Sequence, residues 1–182
     1  MSSMRRNQHF HCRGTSTIEL ALLMPILLIL VLGVVDFGRA LQFNNILVGM
    51  SREAANSAAR TSATQTDIIT ALGQTGQPME MTPNGMIYIT TVTGRADGRA
   101  NVQSQYRYTT GNVGLGSHVF NCGSWGAGGA CNVPTSPAPI ITLSVPLAAG
   151  DLVHVAESIY YFTPIAGYVM TQPITLYSAT ML

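Results

Sequence analysis

The sequence predicts an α+β protein: a long N-terminal transmembrane helix continues into an amphipathic helix, which packs on a small antiparallel sheet outside the membrane. Three observations predict it. Leu20 to Val35 is a run of sixteen uncharged residues with Glu19 at its mouth. An apolar stripe at mainly three- and four-residue spacings follows, through Phe37, Leu41, Ile46, Leu47, Met50, Ala54 and Ala58. From Met86 onward the hydrophobic period changes to two, the repeat of a strand.

Residues 1–14 form a basic leader carrying Arg5, Arg6 and Arg13. A secretory signal places small residues after its apolar core, as a cleavage site. Here the small residues, Gly14 to Thr17, come before it. A cut between Gly14 and Thr15 leaves the apolar segment on the mature chain. Thr15 to Val35 makes 21 residues, about 32 Å of helix at roughly 1.5 Å per residue, close to a hydrocarbon core of about 30 Å. Residues 15–36 therefore read as the membrane helix, with a bend or local loosening expected at Pro25. Removing the leader's three Arg leaves six Arg against eight acids in residues 15–182. That asymmetry predicts a cytoplasmic N-terminus and an external bulk.

The helix continues as an amphipathic segment over residues 37–72, breaking near Thr61 and resuming over Asp67 to Leu72. Residues 73–182 form a small β-rich domain. Met86 to Val92 alternates, with Ile87, Ile89 and Thr91 on one face and Tyr88, Thr90 and Val92 on the other. Asp97-Gly98 marks a hairpin turn leading to Val102–Tyr108, whose alternation is less clean. Further short strands are expected at Ile140–Val145, Leu152–Ala156, Ser158–Phe162 and Ile174–Tyr177.

Between them, Gly111 to Pro139 is rich in Gly, Ser, Asn and Pro, centred on CGSWGAGGAC from Cys122 to Cys131. An oxidising exterior favours a Cys122–Cys131 disulfide; closing a loop of about ten residues is worth roughly 2.5 kcal/mol in the chain-entropy model. A metal site has only these two soft ligands and would have to recruit His118. Cys12, in the leader, is the expected free thiol.

Charged residues are only 9% of the chain, against about 25% in ordinary soluble domains. There is no Lys, and the net charge of +1 argues against a nucleic-acid surface. Of the external imidazoles, His154 lies in an apolar strand and His118 in a Gly-rich loop. Asp151 and Glu157 are six apart across a strand and share a face only if its regularity holds, so a paired-carboxylate mechanism is unsupported. Gly114-Leu115-Gly116 and Gly126-Ala127-Gly128 lack the strand-to-helix context of a phosphate loop. No catalytic residue, cofactor or metal is assigned, and the chain is read as a non-enzyme.

Glu19 lies one turn from Thr15. Cleavage after Gly14 would place a new ammonium at Thr15, and a neighbouring subunit's ammonium near Glu19 would offset the desolvation of both charges. Equally, Glu19 can simply face the headgroups. Tyr160, Tyr161 and Phe162 read either as alternate packing in a sheet with one aromatic exposed, or as an aromatic edge for a partner. Trp125 is a second candidate for display on that partner surface.

Arg13-Gly14, Glu19-Leu20-Ala21-Leu22, the Pro25-containing run, Asp36-Phe37-Gly38-Arg39-Ala40 and Ser51–Arg60 resemble the TadE-like family, minor pilins or pseudopilins of the tight-adherence (Flp-type) pilus system. A weaker echo runs through Val153 to Pro164. The resemblance implies that Gly14 precedes the scissile bond, that Thr15 is the first mature residue and that Glu19 is the fifth. It implies processing by an aspartic prepilin peptidase in a bacterial inner membrane, and partnership with the pilus platform and other pilin-like subunits. A role in cell adhesion and biofilm formation follows. Leu20, where the major Flp pilin has Tyr, and the much longer mature chain point to a minor, initiating or regulatory subunit. The alternative is an unprocessed single-span envelope adaptor of a secretion or pilus machine.

Overall fold

The computed structural model describes residues 15–167 and 169–182, with side chains described from Thr17 onward. The leader, including Gly14 and Cys12, lies outside the described residues. Helix α1 runs from Thr15 to Arg60 and passes through Pro25 without interruption. The helical path then stops for residues 61–64 and resumes as α2, Gln65–Thr75. Thr64 makes that restart: its Oγ1 accepts the Asp67 N–H at 3.2 Å and donates to the Asp67 carboxylate at 2.6 Å, so cap and first-turn acid satisfy each other. A short α3, Met81–Asn84, leads into the sheet.

Five strands follow: β1 Gly85–Gly94, β2 Ala100–Arg107, β3 Ile140–Ile141, β4 Leu152–Phe162 and β5 Ile174–Met181. They form one antiparallel sheet in the order β3-β2-β1-β4-β5. The second half of α1 lies across β4 and β5, and α2 lies across β1 and β2. The core between them holds Phe43, Leu47, Met50, Ala54 and Ile69 from the helices against Ile87, Ile89, Ala156 and Phe162.

Three differences from the sequence reading, and one irregularity it noted, have physical causes. The expected pair of strands on either side of Glu157 is one strand, β4, because Glu157 stays in register with Tyr88 and Ala179 and its charge is met by hydrogen bonds. The expected strand Ile140–Val145 pairs only through Ile140 and Ile141. The imperfect alternation of β2 comes from a bulge: Val92 faces Val102 and Thr91 faces Ser104, leaving Gln103 as the extra residue. Lastly, the sheet is covered on both faces. β1 is buried along nearly its whole length. The connection between β2 and β4 lays Val119, Phe120, Val133, Leu143 and Leu147 over Val92, Val102 and Val155.

Candidate membrane-side assembly site

The first half of α1 stands away from the domain. Every large apolar side chain from Ile18 to Val31 is exposed, and the helix is long and apolar enough to cross a membrane. Glu19, at its start, is exposed and has no ion-pair partner among the described residues. Thr15 is the first described residue and is helical, one helical turn before Glu19. The backbone therefore places Thr15 beside the single acid of the apolar arm.

The arm ends where the domain takes hold of it. Asp36 is buried, its Oδ1 accepting the Ile165 N–H at 2.8 Å and its Oδ2 the Ala166 N–H at 3.1 Å. One turn on, the Arg39 guanidinium lies 5.3 Å from the Phe43 ring centre and 5.4 Å from that of Phe162, cation–π distances. Phe43 meets Tyr160 and Phe162 edge-on at 5.4 and 5.5 Å. Further along, Ser51 Oγ lies 2.9 Å from Ser178 Oγ and 3.1 Å from Thr180 Oγ1 on β5. The exposed arm is thus cantilevered from a helix segment fixed by polar and aromatic contacts at successive turns.

These contacts sort the aromatic triplet. Tyr160 and Phe162 are core residues packed on Phe43, which removes them from the expected partner surface. Tyr161 points to the other side and is 40% exposed. The alternation of a strand separates them. Trp125 is half-buried: its ring centre lies 5.9 Å from that of Tyr88, and the Arg107 guanidinium carbon sits 4.5 Å above it.

Cys122 and Cys131 are joined by a disulfide. The loop they close is held to β2 by the Cys131 N–H donating to Gln105 O at 2.8 Å and by a Tyr106–Ala130 bridge. It covers a strand edge that β3 is too short to pair. Gly129 permits the approach: its φ is +79°, and a Cβ there would lie 2.5 Å from Arg107 O.

On the face beneath the Gly-rich connection, Glu157 is fully buried. Its carboxylate accepts from Ser117 Oγ, from the His118 N–H at 2.8 Å and from Tyr177 OH at 3.1 Å. Gln105 Nε2 adjoins Thr90 Oγ1, Ser117 Oγ and Phe120 O within 3.1 Å. Burial pushes the Tyr88 phenol up to about 12, and it raises Tyr177 further, with the Glu157 charge adding to the shift. The His118 ring stacks on Tyr177 at 4.3 Å. His154 lies on the opposite face, its Nδ1 3.1 Å from Thr91 Oγ1, and burial lowers its pKa. Asp151 is spent in a turn, accepting the Ala148 N–H. Glu157 is therefore a structural carboxylate clasping a loop, separate from both Asp151 and His154. Among the described residues, no three of His, Cys, Asp and Glu gather as a metal-binding group.

Sequence reasoning noted the polarity of Asp36 and missed its role as a loop anchor. An acid closing a sixteen-residue apolar run was the available signal. No curated protein and no solved structure matches the chain. Residues 14–63, which begin at the expected cleavage position and end just past α1, match the family model described as TadE-like protein.

Proposed function

We propose that this chain is a minor pilin-like (pseudopilin) structural subunit that supports assembly of a tight-adherence type IV pilus and is processed after Gly14. The observation that carries the reading is the exposed apolar half of α1 with Glu19 at its start, inside the segment that matches the TadE-like model. A uniformly apolar arm gains nothing in water, and it has two favourable surroundings: lipid before assembly, and the arms of neighbouring subunits after it. A carboxylate at the edge of such an environment is costly alone and is compensated by an opposite charge. Removal of the leader supplies that charge as the Thr15 ammonium, one turn from Glu19. Cleavage thus acts as a licence for assembly: the precursor keeps Glu19 but lacks the neighbouring subunit's ammonium.

Membrane insertion before assembly sets the N-terminus on the cytoplasmic side and the sheet outside, following the Arg asymmetry. The disulfide suits that oxidising side. The partners are the prepilin peptidase, the pilus platform and other pilin-like subunits.

The test is intact mass and N-terminal peptide mapping of the membrane-extracted protein from cells with and without their prepilin peptidase. A peptidase-dependent start at Thr15 is expected. An unchanged N-terminus in cells with active peptidase rejects processing and leaves a single-span envelope adaptor as the function.

A further inference from the structure

Four contacts place the β4–β5 connection alongside α1 in a descending order. Tyr160 packs on Phe43, Phe162 lies beneath the Arg39 guanidinium, the Ile165 and Ala166 amides donate to Asp36, and Val169 meets Gly33. From Phe43 to Gly33 is ten residues, or about 15 Å along the helix axis. The chain leaving β4 therefore runs back down α1 and reaches the level of Gly33, which belongs to the apolar run Leu20 to Val35.

What the connection presents there is unusual for a loop. Ile165 is 74% exposed and Val169 58% exposed, beside Val34 at 64% and Phe37 at 60% on the helix. Loops at a water surface are ordinarily polar, and large apolar side chains exposed both on this loop and on the helix turn it contacts make a patch that calls for a cover. Backbone at the depth of hydrocarbon is tolerated only where its N–H groups are satisfied within the protein. The Asp36 carboxylate does this for two consecutive amides. Gly33 completes the fit, since a Cβ there would lie 2.6 Å from Val169 Cγ2.

Resting on the reading of α1 as a membrane span, we infer that the β4–β5 connection is a second membrane-contacting element, with Ile165 and Val169 seated among the acyl chains of the leaflet on the sheet's side. The occupant of the patch is phospholipid, because the patch is continuous with the apolar face of the arm and lies at the end of its span. The domain is thereby held at a set height and tilt on the bilayer, where a single helix alone would let it swivel.

The test uses the full-length chain carrying Cys12→Ser, reconstituted in vesicles of phosphatidylethanolamine and phosphatidylglycerol. A nitroxide is attached at Ile165→Cys, with Leu28→Cys as a mid-span reference and Leu152→Cys, 60% exposed at the opposite end of β4 from Tyr160, as an aqueous one. Collision rates with oxygen, which concentrates in lipid, and with a water-soluble nickel chelate are compared. The expected result is an oxygen-to-nickel ratio at position 165 several-fold above that at 152 and approaching that at 28. A label at 165 with the ratio of position 152, while 28 reports lipid, overturns the inference and leaves the span intact. Aqueous ratios at both 165 and 28 overturn the span and the inference together. A label at 165 shielded from both reagents also overturns it, since a second protein surface would then cover the patch.

Discussion

The Ser158 hydroxyl donates to the main-chain carbonyl of Leu47 at 2.8 Å, with both residues fully buried in the seam between α1 and β4. This bond joins the packed second half of α1 to the middle of β4. Ser158→Ala is expected to cost about 1 kcal/mol, and Leu47→Ala about 3 kcal/mol through its cavity. Thermal unfolding of the full chain in detergent reads these as Tm losses of roughly 2–4 °C per kcal/mol. Because the residues touch, the double variant is expected to depart from the sum.

Glu157→Ala removes the common acceptor of Ser117, His118 and Tyr177 and leaves buried donors unmet. A loss of about 3 kcal/mol is expected, with Glu157→Gln milder because one carbonyl oxygen remains to accept the His118 N–H. Hydrogen exchange at His118 checks the cause: its amide loses protection in the Ala variant and keeps part of it in the Gln variant.

Replacing Cys122 and Cys131 together by Ser opens a loop of about ten residues, with an expected cost of roughly 2.5 kcal/mol. Trp125 lies within that loop and is the only tryptophan of the chain. Its emission is expected to move to longer wavelength as its packing on Tyr88 loosens. Unchanged emission would show that β2 holds the loop without the disulfide.

Burial lowers the His154 pKa in the fold, so the unfolded chain takes up a proton more readily than the native one. The associated stability is complete above the unfolded imidazole value of about 6.5 and is lost as pH falls through the lower native value. The wild-type Tm should therefore drop between pH 7 and pH 5 by more than that of His154→Gln. Parallel Tm profiles for the two proteins would contradict the assignment.

Glu19→Gln keeps the size and apolar surroundings of the side chain and removes its charge. Under the proposed function, membrane insertion and cleavage after Gly14 proceed normally. Recovery of the protein with sheared pili falls at least severalfold. Undiminished recovery would assign Glu19 to the headgroups and dismiss its pairing with the Thr15 ammonium.

Periodicity made the helical parts legible: the apolar run, the stripe to Ala58 and the break at Thr61 all appear as helix α1, its end and the start of α2. The β1–β2 hairpin was legible too, through Asp97-Gly98 and the alternation from Met86. Glu157 misled because a charge inside an apolar strand reads as a break. Only the fold brings Ser117 and Tyr177 to it from positions far along the chain. The second covered face was hidden for the same reason, since Gly111 to Pro139 carries its apolar residues without a period. Tyr160 and Tyr161 illustrate the limit within a single motif: sequence marks both as aromatic, and only register says which one faces Phe43.

The clasp of Ser51 by Ser178 and Thr180 has a consequence for biogenesis. The chain is made from its N-terminus, so α1 leaves the ribosome long before β5 exists. Under the proposed function, the helix is handed to the bilayer with its Ser51 face still uncovered, and the domain closes only after β5 has crossed. On that reading folding is timed by export, and a nonsense mutation that removes β5 would yield a chain that enters the membrane normally and then stands open on the far side, exposed to quality-control proteases.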